Sequence, residues 1–590
     1  MKYHIFIILL IMSIVSSCSH SSHSTPASVE ETMDVIVTRF YETLSSEQLD
    51  TIDTSWIIKH LSSEEKLVLA TKYLYFDVNT PVIVSLMRDI SQKTIPFWLE
   101  SSGFIKTAMV VRNSHSSYEV WQKEFDTGLV ELGINGFDKH RPVYFICVGP
   151  RDPDKKLEIS NVKPEAQHFE TMGKGAFTYH DWDELTLEEV PDELVGQVLF
   201  TTIRGRAREA HLIGAFRSTL YPSGIEPDQI MLSWVGDPST SMDIQWRTNS
   251  SVPEGKVNYW VSGTVDTMTA VANMKTMEDR LLQNDRYVNR FAAHLDQLQP
   301  GTDYSYQVGS EQGAWSGTAS FQTESGTDDS FSFIWFGDTH KSKHWGDLIQ
   351  HSFQEFPDVA FYSIAGDLVS TGLYRDDWDQ LIHVSGPVFQ YKPLMPVPGN
   401  HDSQDGLGAW MYQEIFALPE NGPEKVSPEL SYSFNYKNAL FLMLDVTSPI
   451  ELQSKWIEEQ LSSSQALWKF AIFHFPPYNY EEDYTEIRKE WCTLFDTYHV
   501  DMVMSGHTHY YMRSLPIFNE QVVEQHSQGT VYVISVGIPG NHENMPDEAY
   551  AEHRDGKGWL YQHMEINGKR LIYKSLDIDG NIKDTFIIEK

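Results

Sequence analysis

From Phe331 onward the chain sets down short, unbroken apolar runs of strand length: FSFIWFG, VAFYSIAG, LMPVPG, NALFLMLD, WKFAIFH and VDMVMSG, with helical stretches such as SKWIEEQL between some of them. A strand with one wet face alternates in polarity, whereas a continuously apolar run is buried on both faces. The pattern predicts a layered α/β domain over residues 331–590. Most of these runs end directly in Asp, His or Asn, and the carboxyl ends of such strands converge on one crevice.

Upstream the pattern changes. Over 226–324 the chain alternates, and IMLSWVGDPSTSMDIQWRT is two alternating runs broken by Gly-Asp-Pro, which predicts a hairpin or a strand pair of a sandwich. In LQPGTDYSYQVG, Leu298, Tyr304 and Tyr306 have tyrosine-corner spacing, with Tyr304 tying back to upstream backbone, and Trp246 is a candidate core aromatic. This segment resembles an all-β fibronectin type III-like sandwich. A polar linker, TESGTDDS, closes it at Ser330. Residues 31–220 carry amphipathic helical stretches such as VEETMDVIVTRFYETL and a strand-like PVYFICVG running into the turn PRDPDKK. They read as an α/β domain, mixed α/β or α+β, without a chemical motif. Its one basic run, RGRAREAH with Arg204, Arg206 and Arg208, reads as a solvated face rather than an anion site.

The start of the chain is of another kind. Lys2, an apolar run from Ile5 to Val15 and small residues before Cys18 have the shape of an export signal, too short to span a bilayer. The stretch VSSC resembles a bacterial lipobox, which implies a signal peptide over 1–18, a lipidated Cys18 holding the protein to a membrane, and a Ser-rich tether over 19–30. Ser19 is compatible with the outer membrane. Only Cys147 and Cys492 then remain, far apart, so no disulfide framework organises the fold. The formal net charge of -37 argues against general attraction to nucleic acid or anionic lipid. A phosphate-binding site in such a chain needs local cations, either arginines or metals.

The strand-end residues, in order, are GDTH (Asp338, His340), GDL (Asp367), GNHD (Asn400, His401, Asp402), FHFPPY (His474) and GHTH (His507, His509). Singly each is a common turn or core motif; five of them ending buried strands in one domain form a strong joint signal. Their order resembles the calcineurin-like metallophosphoesterase superfamily, whose fold is a four-layer (αββα) arrangement. The sandwich directly before it resembles the N-terminal domain of purple acid phosphatases. The resemblance covers 226–590 and does not reach 31–220. It implies two divalent or trivalent metal ions, Fe, Zn or Mn: the first held by Asp338, His340 and His509, the second by Asn400, His474 and His507, with Asp367 bridging. Such a pair can clamp a phosphate, acidify a bridging water and stabilise in-line attack, and mixed oxygen and imidazole donors without thiolate argue against a structural zinc. His401 is implied to face the substrate and assist the leaving group, oriented and kept protonated by Asp402.

One position departs from the purple acid phosphatases. Where they carry a tyrosine three residues after the bridging aspartate, this chain has Ser370, and His340 is present where they usually lack a histidine; Tyr374 has the wrong offset. The resemblance therefore implies a non-purple phosphomonoesterase acting on small phosphate esters. A phosphodiesterase or nucleotidase with the same site, and a surface protein whose site does no catalysis, are the alternatives. PGNHD at Pro398 recurs as PGNHE at Pro539, after every ligand slot is filled, so Asn541 and His542 are expected to form a turn on the rim at most.

Overall fold

The computed structural model describes residues 28–590 except 141, 166, 180–184, 327–328, 404–406, 541 and 543. The expected signal segment, Cys18 and most of the tether lie outside the described residues. The described residues begin inside the expected tether: Ser28 caps the helix Val29–Thr43, its hydroxyl accepting from Glu31 N–H while the Glu31 carboxylate accepts from Ser28 N–H.

Among the described residues, four helices, ending at Thr71, precede the strands of the N-terminal domain. Those strands form a three-stranded and a seven-stranded sheet in which the pairings are antiparallel. Of the two arrangements expected here, the structure takes the α+β one, since the helices come as a block rather than as crossovers between parallel strands. Arg206 departs from the solvated face expected of the basic run. Arg206 is buried, pairs with Glu209 at 2.8 Å, lies 3.9 Å over the Tyr73 ring and donates to the Tyr73 carbonyl.

The expected sandwich is present as two four-stranded sheets over Asp228–Gln322. Its GDP-containing hairpin pairs Asp228–Ser233 with Met242–Asn249. The Tyr304 hydroxyl accepts from Gln299 N–H at 2.9 Å, which completes the tyrosine corner, and Trp246 is buried against Phe291.

Two sheets face each other in the C-terminal domain. In one, Ser330–Phe336 pairs in parallel with Tyr362–Ile364 and is flanked by the antiparallel strands Leu560–Asn567, Arg570–Asp577 and Ile582–Glu589. In the other, Ala439–Met443, Trp468–Ile472, Met502–Ser505 and Val531–Ile534 run parallel at the centre. The unbroken apolar runs find their explanation here. Ala439, Phe441 and Met443 pack toward the opposite sheet with Phe333, while Leu440, Leu442 and Leu444 pack outward with Ile457 and Leu461 of the helix Glu451–Ser463. Trp345 and Leu348, on the helix Trp345–Glu355, cover the far side of the first sheet, Trp345 meeting Phe336 edge-on at 4.9 Å. That is the four-layer order helix, sheet, sheet, helix. The apolar core continues without a seam into the sandwich, where Trp234 packs on Phe361 and Tyr436. The N-terminal domain has separate cores.

Candidate metal centre

The two sheets touch at the predicted site. Asp338 bridges to Val536 of the second sheet, and its carbonyl accepts from Gly537 N–H. Every expected ligand follows a strand or its extension: Asp338 and His340 leave Ser330–Phe336, Asp367 leaves Tyr362–Ile364, His474 leaves Trp468–Ile472, and His507 and His509 leave Met502–Ser505. Asn400 follows Val397, which bridges to Ala365. The sharp exits demand unusual backbone. His340, Asp367 and His507 have φ of 43°, 50° and 73°, the left-handed region that non-glycine residues rarely occupy. The glycines before the ligands are needed for close approach: a Cβ on Gly506 would sit 2.3 Å from Asp338 Oδ1, and one on Gly366 2.5 Å from His474 Nδ1.

The donors fall into clusters whose ligand atoms lie within 4.8 Å of one another: Asp338 with His340 and His509, Asp367 with His474 and His507, and His340 with Asp367 and His401. Asp367 Oδ2 is 3.4 Å from His340 Nε2 and 3.2 Å from His474 Nε2, so one carboxylate oxygen reaches both halves of the site. Asp338 Oδ2 is 3.2 Å from His509 Nε2 and 3.4 Å from His340 Nε2, while its Oδ1 accepts from His507 N–H.

Three local conflicts show that this donor set fits metal ions. His474 donates from Nδ1 to the Ala365 carbonyl at 2.8 Å, which leaves a lone pair on Nε2 aimed at the anionic Asp367. His340 and His509 bring their Nε2 atoms within 3.4 Å of each other. Asn400 Oδ1 and His474 Nε2 are buried without a hydrogen-bond partner among the described residues, a costly condition unless a cation takes the lone pairs. In the metal-free protein, protons take that place. Burial pulls the His340 and His474 imidazoles down, but hydrogen bonding and charge from Asp338 and Asp367 outweigh it and push both up to about 9. Burial alone would raise the two carboxyls, yet the surrounding imidazoles hold both well below the usual carboxylate range.

His401 stands at the mouth with its side chain 39% exposed, Nε2 4.0 Å from Asp367 Oδ2 and the ring edge-to-face with His340 at 4.6 Å. Its Nδ1 donates to the Ser370 carbonyl at 2.8 Å. This corrects the role expected of Asp402, which is buried and accepts from the backbone N–H groups of Leu368, Val369 and Gly399. Asp402 thus braces the two ligand loops against each other. Burial, with the charge of Asp367, pushes its carboxyl up to about 7. Ser370, at the position of the missing tyrosine, turns its hydroxyl to the His340 carbonyl. Tyr374 lies under the Arg217 guanidinium, whose Cζ is 3.7 Å from the ring centroid.

Two acidic residues escaped the sequence reading. Glu482 contacts His507 Nε2 at 3.2 Å, and its neighbour Glu481 contacts His542 Nδ1 at 3.2 Å. The signal was the acidic pair in FPPYNYEED, directly after the expected ligand His474. His542 also meets the Tyr480 hydroxyl at 3.1 Å, which puts it on the rim formed by this loop; Asn541 lies outside the described residues.

Comparison with known proteins agrees with this geometry. Residues 227–323 match the model of the purple acid phosphatase N-terminal domain, and 331–511 that of the calcineurin-like phosphoesterases. An uncharacterised Mycobacterium tuberculosis protein is 28% identical over 323 residues, which span 47% of this chain and 60% of the relative's own length. Probable purple acid phosphatase 20 of Arabidopsis thaliana is 27% identical over 338 residues, 54% of this chain and 75% of its own. The solved structure of purple acid phosphatase PPD1 from yellow lupin seeds superposes with a TM-score of 0.54 at 14% identity, covering 88% of this chain and 91% of its own. That overlap exceeds what 226–590 supply, so it takes in much of the N-terminal domain, a likeness of fold that the family models do not reach.

Proposed function

Because the chain belongs to the calcineurin-like phosphoesterases, in their purple acid phosphatase-like branch, we propose that it is a dinuclear metal phosphoesterase that hydrolyses small phosphomonoesters. The observation that carries the reading is Asp367, one buried carboxylate within 3.4 Å of histidines from both ligand clusters. Asp338, His340 and His509 would hold one ion and Asn400, His474 and His507 the other. When bound, the pair supplies positive charge for an anionic ester and a water acidic enough to attack phosphorus near neutral pH.

The protein's own groups do the rest. The Ser370 carbonyl takes the Nδ1 hydrogen of His401, so in the imidazolium form it is Nε2 that gives its proton to the departing alkoxide, leaving the neutral ring with hydrogen on Nδ1. Asp402 keeps the loops bearing Asp367 and Asn400 in register through its three backbone bonds. Glu482 orients His507 from outside the ligand set, as outer carboxylates do for metal-bound imidazoles. With serine at position 370 we expect no tyrosinate-to-iron colour, and Zn or Mn is as well served as Fe. We further propose export and anchoring through Cys18, on the strength of the apolar Ile5–Val15 run before it.

The test is release of p-nitrophenol from mono- and bis-p-nitrophenyl phosphate by full-length protein reloaded with Mn or Zn. Preferred cleavage of the monoester supports the proposal. A diester cleaved far better replaces it with a phosphodiesterase, and a folded, metallated protein that cleaves neither leaves a non-catalytic surface protein.

A further inference from the structure

We infer that the N-terminal domain is part of the scaffold of the hydrolytic site, and that Arg217, outside the phosphoesterase domain, is a positioning residue for His401. The inference rests on the reading of His401 as the group that assists the leaving alkoxide.

One segment, 367–375, holds His401 at three points. Its N–H donates to Asp367 Oδ1 at 2.9 Å, its carbonyl accepts from Gly372 N–H at 2.8 Å, and its ring is fixed by the Ser370 carbonyl. The same segment is gripped at its other end by two other domains. Arg375 N–H donates to Asp279 Oδ2 of the sandwich at 3.1 Å. Arg217 spreads its guanidinium over the Tyr374 ring, pairs with Asp376 at 2.8 Å and pairs closely with the same Asp279. Arg217 is itself fixed on the N-terminal side. Its guanidinium donates to the Ala215 carbonyl at 3.2 Å, and its backbone N–H and C=O bond to Leu281 and Gln283 in a sandwich loop whose Arg280 pairs with Asp34 of the first helix. A nearly buried cation with two carboxylates and an aromatic face has little freedom. Its anchor lies two residues from Gly372 and four from Ser370, so displacement there passes directly to the three contacts of His401.

General-acid assistance matters most when the leaving group is a poor one, and this separates positioning from a general loss of structure. In full-length, metal-loaded protein, Arg217→Ala is expected to lower kcat roughly tenfold for an alkyl ester such as glycerol phosphate but less than about threefold for p-nitrophenyl phosphate, in line with the cost of a misplaced catalytic group. KM and two metals per chain are retained, and amide exchange over 367–375 accelerates. Arg217→Lys, which keeps the charge, restores part of the alkyl-ester rate. Tyr374→Leu removes the ring without unpairing a charge and gives the same pattern more weakly, which covers the case in which Arg217→Ala does not fold. Equal losses on both esters, or unchanged exchange over 367–375, overturn the inference. A wild-type protein inert toward every ester refutes the proposed function instead, and amide exchange alone then decides the scaffold role.

Discussion

Replacing Gly366 with alanine probes how tightly the second cluster is built. A Cβ there would lie 2.5, 2.6 and 2.7 Å from Nδ1, Cγ and Cβ of His474, whereas van der Waals contact needs about 3.5 Å. The imidazole must retreat by about 1 Å, and that breaks its 2.8 Å bond to the Ala365 carbonyl. Gly366 also sits at φ +86°, where an L-residue costs about 1–2 kcal/mol. Overpacking a dense core adds about 1–3 kcal/mol, so the whole change destabilises by about 2–5 kcal/mol. The local effect on metal is more telling, since losing the group that orients a metal-bound histidine weakens binding about 10- to 100-fold. Zn or Mn titration against a competing chelator, with metal analysis per chain, measures it. One ion is expected to remain near wild-type affinity, held by Asp338, His340 and His509, while the other weakens. Wild-type affinity for both ions with an unchanged melting temperature would refute the packing argument and the assignment of His474 together.

The twin Asn-His phrases separate in a paired experiment: His401→Ala keeps both metals and slows turnover about 10²–10⁴-fold, whereas His542→Ala keeps the metals and most activity. An effect below threefold at His401 makes it a bystander. Asp367→Asn lowers metal content and rate together, and two ions per chain in that variant contradict the bridging role. For the metal-free protein, the elevated His340 and His474 values stabilise the fold fully below pH about 6.5, where unfolded histidine is also protonated, and that contribution is lost as pH rises to about 9. Because the metal needs neutral imidazole, affinity rises across the same window with proton release. Calorimetry in two buffers of different ionisation enthalpy checks this, and metal binding without proton release at pH 7 contradicts it.

The phosphoesterase fold and the clustering of its candidate ligands were legible because strands buried on both faces write continuous apolar runs, and the candidate ligands stand at their ends. The order of the motifs, through the family it resembles, nominated Asn400, His474 and the GHTH pair, and the structure brings His474, His507 and His509 into the candidate clusters. What stayed hidden depends on partners remote in sequence or carried by the backbone. Asp402 reads as a partner for the histidine beside it, but it is taken by three N–H groups that no side-chain pattern encodes. Arg206 sits in a polar run, and only the fold brings Tyr73 against it. The N-terminal strands pair across long sequence separations, as Leu74–Val78 does with Gly128–Leu132 and with Ile159–Lys163, so local pattern could name strands there but not their arrangement. Glu482 was missed because an acidic loop reads as solvated surface.

The apolar core that runs unbroken from Trp246 through Phe361 to Phe441 has a thermodynamic meaning. Residues 226–324 and 331–590 are two domains by sequence pattern and by topology, yet neither can expose its share of that core without exposing its neighbour's, and the linker at Ser330 joins them rather than insulating them. They are expected to unfold as one cooperative unit. The N-terminal domain, whose cores meet the sandwich at Leu281 and through the Arg280–Asp34 pair, is expected to be a second. Calorimetry is then expected to resolve two transitions in a chain of three domains, with the sandwich and the candidate metal centre losing structure together.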